Sequence, residues 1–347
     1  MTDFASHRWR DPRWRAEAVA WAAERLNEHG YVVVGEPEQT HLRPWSTVLR
    51  VMTDDGVFWF KANTIGTAHE APLIDALDRW APGHVVEPLA TDPRRGWLLL
   101  PDGGATLRAA QGGETRLESW VAILADHAEL QRRLAPHAGD LVSLGVPDLR
   151  PERLPQVRAD LLDDPSALRI GRPGGLTPDQ RHLLQADAGR YAQLCAELAA
   201  IGVPASLNHD DLHDNNVFVP EHTGGHYRAF DWGDASVAHP FVVLLVALRV
   251  VENLHDLRPG DPALLRLRDA YLEPWTGEFD RADLVEAVRL ALRVGGVSRA
   301  LSYRSALIEG TSAEHDTFGG GVPQWLLEFY EPTPVEAVPA HEERRSS

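Results

Sequence analysis

The stretch Leu207–Ala235, LNHDDLHDNNVFVPEHTGGHYRAFDWGDA, concentrates side chains capable of chemistry. Three of the chain's six asparagines (Asn208, Asn215, Asn216) fall here, and six acidic residues lie between Asp210 and Asp234 against one arginine. Val217–Val219 and Tyr227–Phe230 read as two short strands joined by a loop containing Gly224 and Gly225. Such a hairpin carries Asp211 and Asn216 before one strand and Asp231 just after the other. Carboxylate and amide oxygens converging in this way are hard ligands suited to Mg²⁺, which binds through one or two carboxylates together with substrate phosphates. His209, His213 and His226 leave zinc open as an alternative.

A second signal is compositional. The chain has 34 basic residues, of which Lys61 is the single lysine. A codon bias toward arginine accounts for the imbalance, and under that bias a surviving lysine marks a place where arginine will not serve. An ammonium is a compact point charge with rotatable donors, suited to phosphate, whereas the guanidinium is broad and planar. The surrounding VFWFKAN (residues 57–63) alternates and is rich in aromatic and β-branched residues, so Lys61 belongs to a strand.

The elements that must position these groups follow from the patterning. Residues 11–30 predict an amphipathic helix with an aspartate at its start and a glycine stop. Residues 48–53 and 57–62 predict strands flanking an Asp54-Asp55-Gly56 hairpin turn. Residues 70–80 predict a helix, and residues 85–89 and 96–100 two further short strands. After Pro101–Gly104 the pattern is almost wholly helical over 117–200, and helices resume beyond the island to about Tyr330. The last residues, EPTPVEAVPAHEERRSS, have the composition of a disordered tail.

Composition bounds the function. A chain of 347 residues suffices for two lobes around a cleft, and a formal net charge of −17 argues against nucleic acid as a partner. The most apolar run, residues 241–251, contains Arg249 and is too short to span a membrane, so no membrane association is expected. The first residues lack an apolar stretch, so no secretory signal is expected. One cysteine, Cys195, excludes an internal disulfide and fits a cytoplasmic location. Nothing in the sequence bears on oligomeric state.

The segment His209-Asp210-Asp211-Leu212-His213-Asp214-Asn215-Asn216 resembles the catalytic loop H-G-D-L-H-x-x-N of aminoglycoside phosphotransferases, choline kinases and related small-molecule kinases. Asp231-Trp232-Gly233-Asp234 resembles their D-W-x-x-A metal segment, the counterpart of D-F-G in protein kinases. The resemblance covers roughly residues 20–330. It implies an α+β, bilobal protein kinase-like fold. A small N-terminal antiparallel sheet lobe with a helix (1–100) would precede a larger, mainly helical lobe (101–330) and a disordered tail (331–347).

The implied activity is transfer of the γ-phosphate of ATP, with Mg²⁺, to a small-molecule hydroxyl. Asp211 would orient the acceptor hydroxyl and accept its proton, and Asn216 and Asp231 would hold the metal. Lys61 would reach the α- and β-phosphates, steadied by Glu70, and His209 would fix the loop's backbone. Leu99, Leu100 and Asp102 would form the hinge that meets the adenine. Two other readings stay open, a kinase of a primary metabolite such as a sugar, amino sugar or amino alcohol, and a nucleotide-binding pseudokinase.

The chain departs from the resembled pattern in three places. Asp210 stands where the family has glycine. The loop His41–Thr47 has no glycine, leaving Ser46 and its neighbours to cover the phosphates. After His239-Pro240-Phe241 the chain lacks the aspartate that braces the catalytic loop in many relatives, so another group must brace it.

The acceptor pocket is expected to be cationophilic, as for an aminoglycoside or related natural product. Residues 305–343 hold eight acidic residues and no lysine or arginine, and the resemblance places C-terminal carboxylates on substrate amines. Asp234, Glu314, Asp316 and Glu328 are the candidates.

Overall fold

The computed structural model describes residues 7–222 and 225–337. Helix α1 (Pro12–Glu28) begins at Asp11, whose carboxylate accepts from the Arg13 amide, with Pro12 at the first helical position. It packs on a five-stranded antiparallel sheet of order β1-β2-β3-β5-β4, made of β1 (Glu38–Leu42), β2 (Ser46–Thr53), β3 (Gly56–Asn63), β4 (Ala90–Asp92) and β5 (Trp97–Pro101). The β2–β3 hairpin turns through Asp54-Asp55, and Gly56 takes a φ of +119° that a side chain would strain. The predicted strand over 85–89 does not form. Those residues are an irregular connection with a bend at each end, and the edge strand starts at Ala90.

Alternation along β3 divides its side chains between two environments. Phe58, Phe60 and Ala62 enter a core with Ala18, Ala22 and Leu26 of α1, Leu49, and Trp97 of β5. Phe60, Trp97 and Trp21 meet edge to face with centroids 5.4–5.8 Å apart. Each such pair adds roughly 0.5–1.5 kcal/mol beyond its buried area. Lys61 and Asn63, on the opposite face, point toward α2 (Glu70–Trp80). The buried side of that helix (Ala71, Leu73, Ile74, Leu77) belongs to the core of the second lobe.

The second lobe is mainly helical, giving the bilobal α+β architecture that the resemblance implies. Its centre is α3 (Leu117–Leu134), with further helices between residues 138 and 200. A three-stranded sheet follows, in which β10 (Ser236–Ala238) pairs in parallel with β6 (Asp148–Leu149) and antiparallel with β7 (Ser206–Asn208). Beside it is the small ladder of β8 (Val217–Phe218) and β9 (Arg228–Ala229). Helices α4 (Val243–Leu254), α5 (Pro262–Leu272), α6 (Arg281–Val294), α7 (Gly296–Ala306), α8 (Ser312–Phe318) and α9 (Gly321–Leu327) follow. The apolar run beginning at Phe241 is a buried helix, as its composition suggests, and no helix among the described residues is long and apolar enough to cross a membrane. Cys195 is buried.

The expected disorder from residue 331 is corrected for its first part. Glu336 pairs with Arg293, Thr333 is buried, and the Gly260 amide donates to the Pro334 carbonyl. Residues 338–347 lie outside the described part of the chain, as does Gly224 in the β8–β9 loop.

Candidate active site

The face of β3 that carries Lys61 also carries Asn63, and both reach the first residue of α2. Lys61 Nζ lies 2.6 Å from Glu70 Oε2 and 2.5 Å from Asp231 Oδ1. Asn63 Nδ2 donates to Glu70 Oε2 at 2.8 Å, and the Trp232 amide donates to Glu70 Oε1 at 2.9 Å. Glu70 therefore receives only donors. It is buried at the N-terminal turn of a helix, where a carboxylate is favoured. It joins the sheet, α2 and the segment after β9 in one node. Burial alone would lower the Lys61 pKa, but the Asp231 and Glu70 carboxylates hold the ammonium above its ordinary value.

The two acidic loops flank β7, β8 and β9. His209 is fully buried. Its Nε2–H donates to the Phe230 carbonyl at 2.9 Å, and its Nδ1 accepts from the Asp211 amide at 3.3 Å, which sets the tautomer. Burial, opposed by the Asp211 carboxylate, holds its pKa down at about 4, so the ring is a neutral tie between the loops. Asp210 and Asp231 both adopt left-handed backbone, with φ of 58° and 64°. Aspartate tolerates this conformation, which explains how Asp210 replaces a glycine. The Asp210 carboxylate turns inward and accepts from Ser236 Oγ at 2.5 Å and Ser298 Oγ at 2.6 Å. Asp214 is fully buried in a bidentate pair with Arg108, at 2.7 and 3.0 Å.

The brace that the sequence left unassigned comes from α3 and α5. Gln131 Nε2 donates to the carbonyls of Leu207 at 2.9 Å and Pro240 at 3.0 Å. The Tyr271 hydroxyl lies 2.5 Å from Gln131 Oε1, and the Ser206 hydroxyl donates to the Gln131 carbonyl at 2.6 Å. Sequence reasoning missed both residues, since neither belongs to a local motif.

It also missed Arg299, from α7. Its guanidinium is 7% exposed and bridges Asp211 Oδ1 at 3.1 Å and Asp234 Oδ2 at 2.7 Å. Tyr303 and Trp325 stack against it, at 5.3 and 5.7 Å. Its only trace in the sequence is a cation four residues before Tyr303, hence on the same helical face, within an apolar stretch. Burial tends to raise the Asp211 pKa, but Arg299 and His213 together hold the carboxyl well below the usual carboxylate range.

Between the lobes is a cleft of about 170 Å³ bounded by His41, Trp45, Asn63, Asp211, Asp231, Asp234, Arg299, Tyr303 and Phe318, among others; Lys61, Glu70 and Asn216 stand behind its wall, on Asp231 and Asp211. Trp45 from the sheet lobe meets Phe318 of α8 edge to face at 5.4 Å, so aromatics from opposite lobes close one side. Ser46 does not line it. It is buried at the start of β2, and the glycine-free loop presents His41 and Trp45 instead. Leu99 is buried and pairs with Phe60, Leu100 pairs with Trp59, and the Asp102 amide donates to the Val57 carbonyl while its carboxylate caps Gly104. A Cβ on Gly103 would lie 2.3 Å from the Phe218 ring, so the linker between the lobes passes β8 with no room for a side chain.

Three expected acceptor residues are corrected. Glu314 is buried in a capping box with Thr311, where its Oε2 accepts from the Thr311 amide at 2.7 Å. Asp316 pairs with Arg172 at 3.0 Å, and Glu328 with Arg249 at 2.5 Å. None lines the cleft. The absence of basic residues near them in sequence misled, because the arginines of Asp316 and Glu328 arrive from distant elements. Asp234 alone of the four faces the cleft, and Arg299 holds it.

Mg²⁺ suits the donor set. Asp231 Oδ1 is engaged by Lys61 and the Asn216 amide nitrogen by the Asp211 carbonyl. This leaves Asp231 Oδ2 and Asn216 Oδ1 without partners among the described residues, two hard oxygens with no sulfur nearby.

No protein-family model and no curated protein matches the sequence. Solved structures do. A macrolide 2'-phosphotransferase from Brachybacterium faecium is similar with a TM-score of 0.56 at 15% identity, over 86% of this chain and 97% of that one. A choline/ethanolamine kinase family protein from Mesorhizobium loti gives 0.54 at 17% identity, over 91% and 96%. A choline kinase from Streptococcus pneumoniae gives 0.55 at 13% identity, over 90% and 98%. The chain has the fold of these phosphotransferases over nearly their whole length.

Proposed function

We propose that this protein transfers the γ-phosphoryl group of ATP to a hydroxyl of a small molecule. One observation carries the reading. Asp231, which the Lys61–Glu70 pair holds, and Asp211, which Asn216 holds, line one cleft, so the set a triphosphate and its metal require stands beside the group an acceptor hydroxyl requires. A pseudokinase would have lost one of them.

In this reading Lys61, held by Glu70, releases Asp231 and meets the α- and β-phosphates, while the backbone of Leu99–Asp102 meets the base. Asn216 and Asp231 hold Mg²⁺, which when bound neutralises phosphate charge. Asp211 accepts a hydrogen bond from the acceptor hydroxyl and takes its proton late. A carboxylate with a depressed pKa is a weak base, but a loose phosphoryl-transfer transition state asks mainly for positioning and charge balance. Arg299 and His213 fix the orientation of Asp211, with His213 Nε2 3.6 Å from its Oδ2.

The acceptor side offers Trp45, Tyr303, Phe318, Ala306 and Leu307 as an apolar wall, with Asp234 as the one carboxylate for an amine. We therefore favour a hydroxylated acceptor with an apolar face and at most one ammonium near the reacting hydroxyl, over a polycation of the aminoglycoside kind. ADP release with Mg·ATP, screened across aminoglycosides, macrolides, amino alcohols and sugars, tests this. Turnover of an acceptor in the screen that Asp211→Ala abolishes supports the proposal, whereas equal turnover by wild type and Asp211→Ala sinks it.

A further inference from the structure

Outside the cleft, three side chains from separate segments gather at one place. His84 lies in the linker after α2, Asp126 on α3, and His226 just before β9. One ring nitrogen from each histidine and one Asp126 oxygen lie within 4.8 Å of one another. We propose that His84, Asp126 and His226 form a binding site for a divalent transition metal of the Zn²⁺ type, which clamps the β8–β9 hairpin to the α2 linker and α3.

Donor chemistry comes first. Two imidazoles and a carboxylate form a borderline-soft set that favours zinc or cobalt over the Mg²⁺ of the cleft. Geometry agrees. The two imidazole rings stack with centroids 3.8 Å apart and planes 27° from parallel, which sets their nitrogen edges side by side. His226 Nδ1 lies 2.6 Å from Asp126 Oδ1, and His84 Nδ1 lies 4.0 Å from the same oxygen. A tetrahedral shell with bonds of about 2.0–2.1 Å spaces its donors by about 3.3 Å, so shifts near 1 Å complete it. The exposed His226 can open the short contact, and a shift of the His84 or Asp126 side chain closes the longer one.

His84 fixes the inner wall of the site. It is 3% exposed, and the one carboxylate beside its ring is beyond hydrogen-bond reach. Its ring edge faces the depression that Asp126 and His226 also line, so its lone pair is available to a cation there. Asp126 is already oriented, because its second oxygen accepts from the Tyr227 amide at 2.9 Å. The site opens on a depression of about 510 Å³, where solvent or Glu129 can complete the shell. Arg132 and Arg133 also line it. Arg132 is engaged by Glu129 and Glu278, but the charge of Arg133 opposes a cation. Micromolar rather than nanomolar affinity is therefore expected. The hairpin runs between Asn216 and Asp231, so the clamp would sit behind both oxygens assigned to Mg²⁺.

The test titrates the full chain, stripped with EDTA and dialysed, with ZnCl₂ and CoCl₂ in excess Mg²⁺, by calorimetry and by thermal melting. One site with a dissociation constant of about 10 µM or tighter and a Tm raised by roughly 3 °C or more is expected. His226→Asn, an exposed change that spares the core, should weaken binding at least tenfold and abolish the Tm shift, and Asp126→Asn should do likewise. Asp231→Asn and His213→Asn should leave affinity unchanged. The proposal is overturned by no binding tighter than about 100 µM, by unchanged affinity in His226→Asn, or by a loss that follows His213 or Asp231 instead.

Discussion

The Arg299 guanidinium lies 3.1 Å from Asp211 Oδ1, and its other arm lies 2.7 Å from Asp234. A carboxylate so held stays ionised and keeps one orientation, with its second oxygen facing Asn216 Nδ2 at 3.4 Å and His213 Nε2 at 3.6 Å. The pair also ties the His209–Asn216 loop to α7, which lines the same cleft.

Replacing Arg299 by Met keeps the stacking stem against Tyr303 and Trp325 but leaves two carboxylates without their cation. With Asp211 as the group that meets the acceptor hydroxyl, kcat should fall by about 10²-fold or more. The acid limb of kcat/KM should also move to higher pH, because Asp211, no longer held low, protonates sooner. Arg299→Lys should recover part of both effects. A pH profile unchanged in Arg299→Met would show that the arginine serves the fold alone.

Lys61→Arg tests why one lysine survives among arginines. Its ammonium sits between Glu70 at 2.6 Å and Asp231 at 2.5 Å, a space shaped for a point charge. A planar guanidinium must displace one of the two. The expected outcome is a loss of activity of about 10²-fold or more with a Tm within a few degrees of wild type, measured by ADP release and thermal melting. Normal kinetics would make the lysine's rarity an accident of composition.

These contrasts mark what was legible in the sequence. The His209–Asn216 loop, Asp231 and Lys61 declare themselves because their roles depend on local backbone and close spacing. Lys61 needs a strand of alternating pattern, and the loop needs its own short ladder. Arg299, Gln131 and Tyr271 act through tertiary contacts between helices, and nothing in their own helices distinguishes them from core or surface positions. The acidic C-terminal region misled for the same reason, since charge counted along the chain ignores arginines that arrive from other elements. The strand expected over 85–89 failed because its apolar residues serve a buried connection, where burial and not a ladder selects them.

The reassignment of Glu314, Asp316 and Glu328 has its own test. Glu314→Ala removes the N3 half of a capping box, leaves the Thr311 amide without its acceptor and should lower stability, seen in denaturant melts. Asp316→Asn and Glu328→Gln lose ion pairs with Arg172 and Arg249. All three should leave the acceptor's KM within about twofold of wild type. A several-fold rise in any of them would return that carboxylate to the acceptor site.

Tyr271→Phe probes the brace. The hydroxyl lies 2.5 Å from Gln131 Oε1 and 2.9 Å from the Pro240 carbonyl, and all three are buried. Removing it leaves Gln131 Oε1 short of a donor, at about 1–3 kcal/mol, while the Pro240 carbonyl keeps the Gln131 amide. Stability should drop by that amount with KM for ATP unchanged, and a neutral result would shift the brace onto Gln131 alone.

Asp210 gives the fold a pH dependence of defined sign. Burial pushes its carboxyl up from 3.8 to about 6, with the Ser236 and Ser298 hydroxyls and Arg299 opposing. A folded-state value above the unfolded one means that the native chain holds this proton more tightly. The stability it contributes is therefore complete below about pH 4 and is lost as pH rises through about 6. At neutral pH the ionised group costs roughly 3 kcal/mol relative to its protonated form. Asp210→Asn keeps a residue tolerant of the left-handed backbone and keeps an oxygen for both serines, but removes the ionisation. Melts of wild type and Asp210→Asn across pH 4–8 should therefore differ in slope, with the variant flatter between about 4 and 6 and no less stable at pH 7. Parallel curves would mean that Asp210 titrates as an ordinary carboxylate and that the two serines, with Arg299, cancel its burial.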